Sequence, residues 1–402
     1  MFSISIFASD EVIVPSVSGI RFEFILFALT LAGVAIFHKH TMYVSLAGLL
    51  LVLMFKYIFV PDFSFYHHMI GSPGHEGEWK TLLNLTGLLF GFTILARLFD
   101  DSRIPDELPG ILPHDWKGGL VLLILVFVLS AFLDNIAAAM IGGAIALIVY
   151  KGKVHIGFLA AIVAASNAGG AGSVLGDTTT TLMWINGVSP AGVLHAYIAS
   201  VAAFIVFAVI GSIQQDRFQK IQKENTPGAK IDFKRVGLIV LILIGAVLTN
   251  WLLDFPAAGV WAAILIGMIF IKIPWDEIPH AFQGTVFLIA LVTCASLMPV
   301  DQLPEASLKS TFILGFVSSI FDNIPLTKLC LDQGGYDWGM LAYAVGFGGS
   351  MVWFGSSAGV ALSNIFPEAR SVTGYLKKGW HVVLAYVVGF FVLYGVLGWN
   401  PQ

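Results

Sequence analysis

Charge is what this chain has least of: Asp, Glu, Lys and Arg make up 11% of its 402 residues, while 57% are hydrophobic. So little charge cannot cover a soluble domain of this length, and a mean hydropathy of +0.86 places the chain among polytopic helical membrane proteins. The net charge of -4 supplies no basic surface and no nucleic-acid-binding pattern is present, so nucleic acid is excluded as a partner. Only two cysteines occur, Cys294 and Cys330, both in apolar surroundings, which excludes a disulfide framework. Residues 1–19 lack the basic start of a secretory signal and read as a short exposed lead-in.

Long apolar runs fill the rest, near 20–37, 43–60, 82–98, 118–150, 154–187 and 189–213, then near 236–252, 257–273, 281–299, 308–331, 337–365 and 379–398. Between the two sets lies a polar linker, 214–235, whose Arg217, Lys220, Lys223, Lys230, Lys234 and Arg235 mark it as cytoplasmic. Counting outward from it, 16 of the 21 basic residues fall on the cytoplasmic side, with both termini outside, only if the runs 118–150 and 308–331 are re-entrant hairpins. A single spanning helix at either place destroys that asymmetry.

The stretch Ser166–Thr181, SNAGGAGSVLGDTTTT, is the most unusual of the chain. It lies inside a run whose only ionisable side chains, from Val154 to Asn186, are His155 and Asp177. As one helix those residues would span roughly 50 Å at ~1.5 Å per residue, against an apolar core of about 30 Å. An interruption is therefore expected, and Gly169, Gly170, Gly172 and Gly176 fall where it belongs. Irregular backbone at that depth must be buried in protein or line a polar cavity, and a carboxylate there marks an ion or substrate path. The plainer alternative is a glycine-lined packing seam with Asp177 as a local helix cap. Asp134 and Asn135 stand at the middle of the first hairpin, where a capping role and a site near the midplane coexist.

The halves repeat. Ser130–Ile136 reads SAFLDNI and Ser318–Ile324 reads SSIFDNI; Gly169–Gly176 reads GGAGSVLG and Gly348–Gly355 reads GGSMVWFG, in the same order. By the loop charges the two hairpins enter from opposite sides, so the repeats are inverted. Residues 20–213 form repeat 1, with its hairpin at 118–150 and broken helix at 154–187; residues 236–398 form repeat 2, with hairpin 308–331 and broken helix 337–365. Inverted repeats with broken helices meeting near the midplane are the architecture of many secondary transporters.

These motifs resemble the ion transporter superfamily, which includes arsenite permeases, citrate carriers and the melanosomal P protein. The longer strings AFLDNIAAAMIGG, SNAGGAGSVLGDTTTT and GSSAGVALSNIFPEARS are similar to NhaD-type bacterial sodium/proton antiporters. The likeness covers the chain from about Lys117 onward. It implies an all-α transporter of the bacterial cytoplasmic (inner) membrane, a homodimer in which each protomer has a scaffold domain and a mobile transport domain. It also implies exchange of Na⁺ or Li⁺ for H⁺, with no cofactor and no enzymatic activity.

The residue chemistry fits a hard cation. Carboxylates of Asp134, Asp177 and Asp322, amides of Asn135 and Asn323, and hydroxyls of Ser166, Thr178, Thr179, Ser356 and Ser357 are the expected oxygen ligands; Asn167 belongs to the same stretch, and unwound carbonyls near Gly169 and Gly348 would complete the shell. Three carboxylates in low dielectric cannot all ionise cheaply, so one holds a proton that Na⁺ displaces. Ser356 stands where the first half has Asp177, which makes the site asymmetric. Lys328 is either an ion-pair partner of the site or a side chain that snorkels outward. An anion or carboxylate carrier of the same superfamily and an arsenite permease are the nearest rivals. An intramembrane aspartyl protease requires glycine where Val174 stands. His67, His68, His75, Glu76 and Glu78 read as an exposed polar loop in preference to a metal site, and Trp116, Trp251 and Trp380 as interfacial belt residues.

Overall fold

The computed structural model describes residues 15–17, 19–37, 40–72, 75–222 and 230–402. The first fourteen residues of the lead-in, Lys39, the middle of the linker with Lys223, and the side chains of His75 and Glu76 lie outside the described residues. Apart from two antiparallel ribbons, β1 (Ser16–Val17) with β2 (Ile20–Arg21) and β3 (Gly71–Ser72) with β4 (His75–Glu76), and three short 3-10 turns, the ordered elements are all helices.

The first half comprises α1 (Phe22–Ile36), α2 (Thr41–Phe59), the short α3 (Phe65–Ile70), α4 (Trp79–Asp101), the short α5 (Ile104–Ile111), α6 (Trp116–Ser130), α7 (Asn135–Val149), α8 (Ile156–Gly170), α9 (Thr178–Ile185), α10 (Pro190–Leu194) and α11 (Ala196–Phe218). The second comprises α12 (Phe233–Leu253), α13 (Pro256–Gly267), α14 (Glu277–Ser296), α15 (Leu308–Ser318), α16 (Asn323–Gln333), α17 (Trp338–Gly348), α18 (Ser357–Ile365), the short α19 (Val372–Lys378) and α20 (Trp380–Leu397). Among the described residues six helices are long and apolar enough to cross a membrane: α2, α4, α10 running into α11, α12, α14 and α20. The chain is an all-α polytopic membrane protein.

The remaining apolar helices are short for a reason visible in the sequence. α6, α7 and α8 have 15 residues each, which gives roughly 22 Å of helix, too little for an apolar core of about 30 Å. Each stops where polar or glycine residues intervene. Asp134 begins α7, Asp177 begins α9, Asp322 begins α16 and Ser356 begins α18; the last three accept a backbone N–H of the helix they start. α8 and α17 form the innermost layer, buried along Gly157–Gly170 and Gly339–Gly348, whereas α12 turns Ile244, Val247 and Trp251 outward as a lipid-facing helix does.

Two boundaries differ from expectation. α11 continues through Phe218 and α12 begins at Phe233, so the ends of the 214–235 linker are helical. The first break is also shorter than its glycine content suggests, covering only Ala171–Asp177, with Gly169 and Gly170 still in α8. Gly169 serves a different need: a Cβ there would lie 2.1 Å from the Phe127 carbonyl oxygen, so α8 and α6 pack with backbones in contact. Gly176 is pressed on the Ser130 carbonyl in the same way, at 1.8 Å.

Candidate functional site

Four helix N-termini, those of α7, α9, α16 and α18, reach one cavity of about 430 Å³ through Asp134, Asn135, Thr178, Asn323 and Ser357. Its far end is walled by Thr93, Arg97 and Asp100 of α4 and by Glu277 and Thr285 of α14. A helix N-terminus carries partial positive charge and on its own favours an anion. Here three of the four carry an aspartate of the chain itself, and only α18 has serines.

Two of those aspartates are incompletely satisfied. Asp177 caps α9 through Oδ1, which accepts Thr179 N–H at 2.9 Å, but its Oδ2 is buried without a hydrogen-bond partner. Asp134 closes no cap bond at the start of α7, and its Oδ1 is likewise buried and unpartnered. The Thr179 hydroxyl, fully buried, is unpartnered too. Asp322 accepts Ile324 N–H at 3.0 Å. Asp177 lies within electrostatic reach of both Asp134 and Asp322. Gly346 of α17 backs it, where a Cβ would come 3.2 Å from Asp177 Oδ2. Buried polar atoms normally find partners, so these orphaned oxygens leave room for a donor or a cation.

The unwound segment itself is fastened. Thr180 Oγ1 donates to Ser173 O at 2.5 Å and to Asp177 O at 2.9 Å, and Thr181 Oγ1 donates to Val174 O at 2.8 Å. Ser173 Oγ in turn donates to Ala131 O at 2.6 Å, tying the break to the tip between α6 and α7. Across the same seam Ser130 Oγ donates to Ser166 O at 2.5 Å, and at the matching place in the second half Ser318 Oγ donates to Val345 O at 2.7 Å.

Of the residues singled out in the sequence, Asp134, Asn135, Thr178, Asn323 and Ser357 line the cavity, while Asp177, Thr179, Asp322 and Ser356 do not border it. Asn167 joins through its amide, accepting Asn135 Nδ2 at 3.1 Å. Ser166 does not: its hydroxyl donates to Val163 O at 2.9 Å within its own helix. The Gly169 carbonyl, expected among the unwound ligands, belongs to α8 and accepts the Tyr197 hydroxyl at 2.9 Å. Lys328 is 2% exposed, and its ammonium is held by Glu78 Oε1 at 2.8 Å and Asp332 Oδ1 at 2.6 Å. It therefore neither snorkels freely nor pairs with the site carboxylates. Glu78 starts α4, so this pair clasps α16 to α4 at the end away from Arg97. His68 leaves the polar loop to meet Ser296 Oγ at 2.9 Å, and no cluster of His, Cys, Asp and Glu suited to a metal occurs among the described residues.

The sequence profile of the citrate transporter family, CitMHS, matches residues 24–348. The chain belongs to this family. Among curated relatives, sodium/proton antiporter 1 of Arabidopsis thaliana is 27% identical over 326 residues, 67% of this chain and 54% of that protein. The chain thus spans about half the length of that relative. The Na(+)/H(+) antiporter NhaD of Vibrio parahaemolyticus is 26% identical over 323 residues, 65% of this chain and 76% of its own. NhaD of Halomonas elongata is 24% identical over 399 residues, 82% and 79% of the two chains. The match to the CitMHS profile takes in Asp134, Asp177 and Asp322 and ends before Ser356.

Several residues of the cavity, and of the layer behind it, escaped sequence reasoning in this CitMHS member. Arg97 counts in the sequence only as one of the basic residues on the cytoplasmic side, and the charged stretch after it, from Asp100, reads as a surface turn; Arg97 is half exposed and loosely paired with Asp101 at 3.2 Å and Glu277 at 3.7 Å, which gives it little energetic weight. Ser350 and Gly346 carried no signal beyond the glycine-rich setting, because what gives them meaning is a contact with residues of the other half.

Proposed function

We propose that the chain is a secondary Na⁺(Li⁺)/H⁺ antiporter of the bacterial inner membrane, working by alternating access. One observation carries this reading: two buried carboxyl oxygens without partners, Asp134 Oδ1 of a cavity-lining residue and Asp177 Oδ2 of the residue just before the lining Thr178. An uncompensated charge at that depth is costly, so each carboxylate is neutralised in turn by a cation or by a proton. Entry of Na⁺ displaces the proton and entry of a proton displaces Na⁺, and the competition is the coupling. Relatives that bear the name of sodium/proton antiporters support the choice of ions.

The architecture we infer is an inverted repeat. α1, α2, α4, α6–α7, α8–α9 and α11 correspond to α12, α13, α14, α15–α16, α17–α18 and α20, and the equivalent Ser130 and Ser318 bonds and Gly169 and Gly348 contacts support the correspondence. The α6–α7 and α15–α16 pairs are then re-entrant hairpins. Together with the broken helices they form a transport domain that moves against a scaffold, in a homodimer. On this topology the Arg97 and Glu277 end of the cavity is cytoplasmic, and the Lys328 clasp closes the outer side.

A second reading follows from the description of the family as citrate transporters and from α18, whose N-terminus offers Ser356 and Ser357 without a carboxylate: an Na⁺-coupled carboxylate carrier. Purified protein in liposomes with an internal pH dye separates the two. Na⁺ or Li⁺, but not K⁺, is expected to move protons with no organic anion present, and Asp134→Asn and Asp177→Asn to abolish that movement. Proton movement that appears only with citrate or succinate would sink the antiport reading.

A further inference from the structure

Several buried glycines are explained by packing: an added Cβ would lie 2.4 Å from Val126 Cγ2 at Gly142, 2.6 Å from His195 Cβ at Gly339 and 2.3 Å from the Gly315 carbonyl oxygen at Gly348. Gly346, in the last turn of α17, is different. Apart from α17's own backbone and the two flanking residues, the nearest atom to a Cβ there is Asp177 Oδ2 at 3.2 Å, followed by Ala171 Cβ at 3.6 Å and Ala171 Cα at 4.0 Å. Packing therefore has room for a methyl group, and helix propensity favours alanine over glycine. What the missing side chain keeps clear is one side of a carboxylate oxygen, and that oxygen is buried without a partner in a residue 1% exposed. At the matching register of the first half stands Asn167, whose amide is bonded to Asn135 at 3.1 Å and to Ser350 at 2.9 Å. The first half fills this position with a hydrogen-bonded amide; the second leaves it open beside the acid.

We propose that Gly346 is a specificity-determining residue: its missing side chain leaves, beside Asp177 Oδ2, the space that a dehydrated cation occupies, and so limits the size of that cation. The inference rests on the antiport reading for the identity of the ions, and extends it to how the site tells one ion from another. Neither Gly346 nor Asp177 borders the cavity of about 430 Å³, so a cation leaves the cavity's water behind to reach Oδ2. A gap the size of one methyl group holds a bare alkali ion but not a hydrated one. The Thr179 hydroxyl, also buried and unpartnered at the start of α9, is a second oxygen for such an ion. A proton sits on the oxygen itself and needs none of this space. Filling the gap thus acts on the cations alone, and on Na⁺ more than on the smaller Li⁺.

The test is Gly346→Ala and Ala171→Gly in purified protein, with binding read in detergent as the Na⁺ or Li⁺ concentration that gives half the maximal rise in melting temperature. Gly346→Ala is expected to raise that concentration on the order of tenfold for Na⁺ and about threefold or less for Li⁺, with the ion-free melting temperature near that of wild type. Ala171→Gly, which removes the Cβ at 3.6 Å and widens the gap, is expected to move the Na⁺ to Li⁺ preference the opposite way. An unchanged Na⁺ to Li⁺ ratio in Gly346→Ala overturns the proposal. So does an equal weakening for both ions together with a lower ion-free melting temperature, which marks a merely structural role. If Gly346→Ala does not fold, Ala171→Gly decides, and a ratio that stays or moves towards Li⁺ overturns the proposal. None of these measurements requires transport. If wild-type liposomes move no protons on Na⁺ or Li⁺ while both ions stabilise the protein and the variants shift their ratio, the antiport reading fails and the role of Gly346 stands. If wild-type liposomes move protons and the variants leave the ratio unchanged, the antiport reading stands and the role of Gly346 fails. If neither ion stabilises the wild type, the role of Gly346 fails.

Discussion

A Cβ placed on Gly169 would lie 2.1 Å from the carbonyl of Phe127; one placed on Gly348 would lie 2.3 Å from that of Gly315. One step on, Gly170 is pressed against the Gly176 carbonyl and the Asp177 Cβ, and Gly349 against the Gly355 carbonyl and the Ser356 Cβ. The two breaks are thus built with the same backbone approach and the same serine bond, from Ser130 in one half and Ser318 in the other. They differ in the residue at the restart of the helix, Asp177 against Ser356, and in the one on the inner helix, Asn167 against Gly346. The glycines and serines make the frame and recur, as do the Asp–Asn pairs that begin α7 and α16; Asp177 and Asn167 do not. The asymmetry even has a steric side, since Gly346 leaves room beside the free oxygen of the one aspartate the other half lacks.

That contrast can be broken at three levels. The largest effect is expected from Asp177→Ser, which makes the first half resemble the second: Na⁺-driven proton movement in everted vesicles should fall to the background of empty vesicles at normal protein abundance. Adding Ser356→Asp should not restore it, because the acid would then lack the space beside Gly346; recovery in the double variant would show that the halves are interchangeable. Next come Gly169→Ala and Gly348→Ala, each of which forces packed backbones apart at a cost of about 1–3 kcal/mol. Both should lower the melting temperature in detergent by similar amounts, and a large difference would deny that the two frames are equivalent. The smallest effect is that of Ser130→Ala and Ser318→Ala, about 1 kcal/mol each for one buried hydrogen bond. Thermal unfolding of the two variants measures how closely the seams match.

Much of this frame was legible in the sequence because it comes from length. Runs of 33 residues, too long for one span, had to be interrupted, and the acids and glycines showed where. The helix starts at Asp134 and Asp177 followed from that arithmetic, and Asp322, in a shorter run, from the match of SSIFDNI to SAFLDNI. Local composition misled at Gly169 and Gly170, which stay helical: Gly169 signals close packing of α8 on α6, and Gly170 close approach of the break at Gly176 and Asp177. It misled again at Ser166, where a hydroxyl in a helix bonds back to the preceding turn, at Val163. Lys328 was ambiguous because its partner Glu78 is 250 residues away in sequence, and Ser350 was silent because Asn167 is 183 away. Contacts of that kind depend on how the halves are set against each other, which no local pattern encodes.

The hydroxyls of Thr180, Thr181 and Ser173 bear on a different property, the cost of an empty site. Each bonds a carbonyl of the break or of the adjoining tip, so the irregular backbone holds its shape through the chain's own atoms. A loop ordered only by its ligand spends part of the binding energy on that ordering and loses its form when the ligand leaves. The segment from Ala171 to Asp177 is spared both. On the antiport reading, its preorganisation leaves dehydration and fit as the main terms that distinguish one ion from another, and lets the emptied carrier accept its next occupant without refolding.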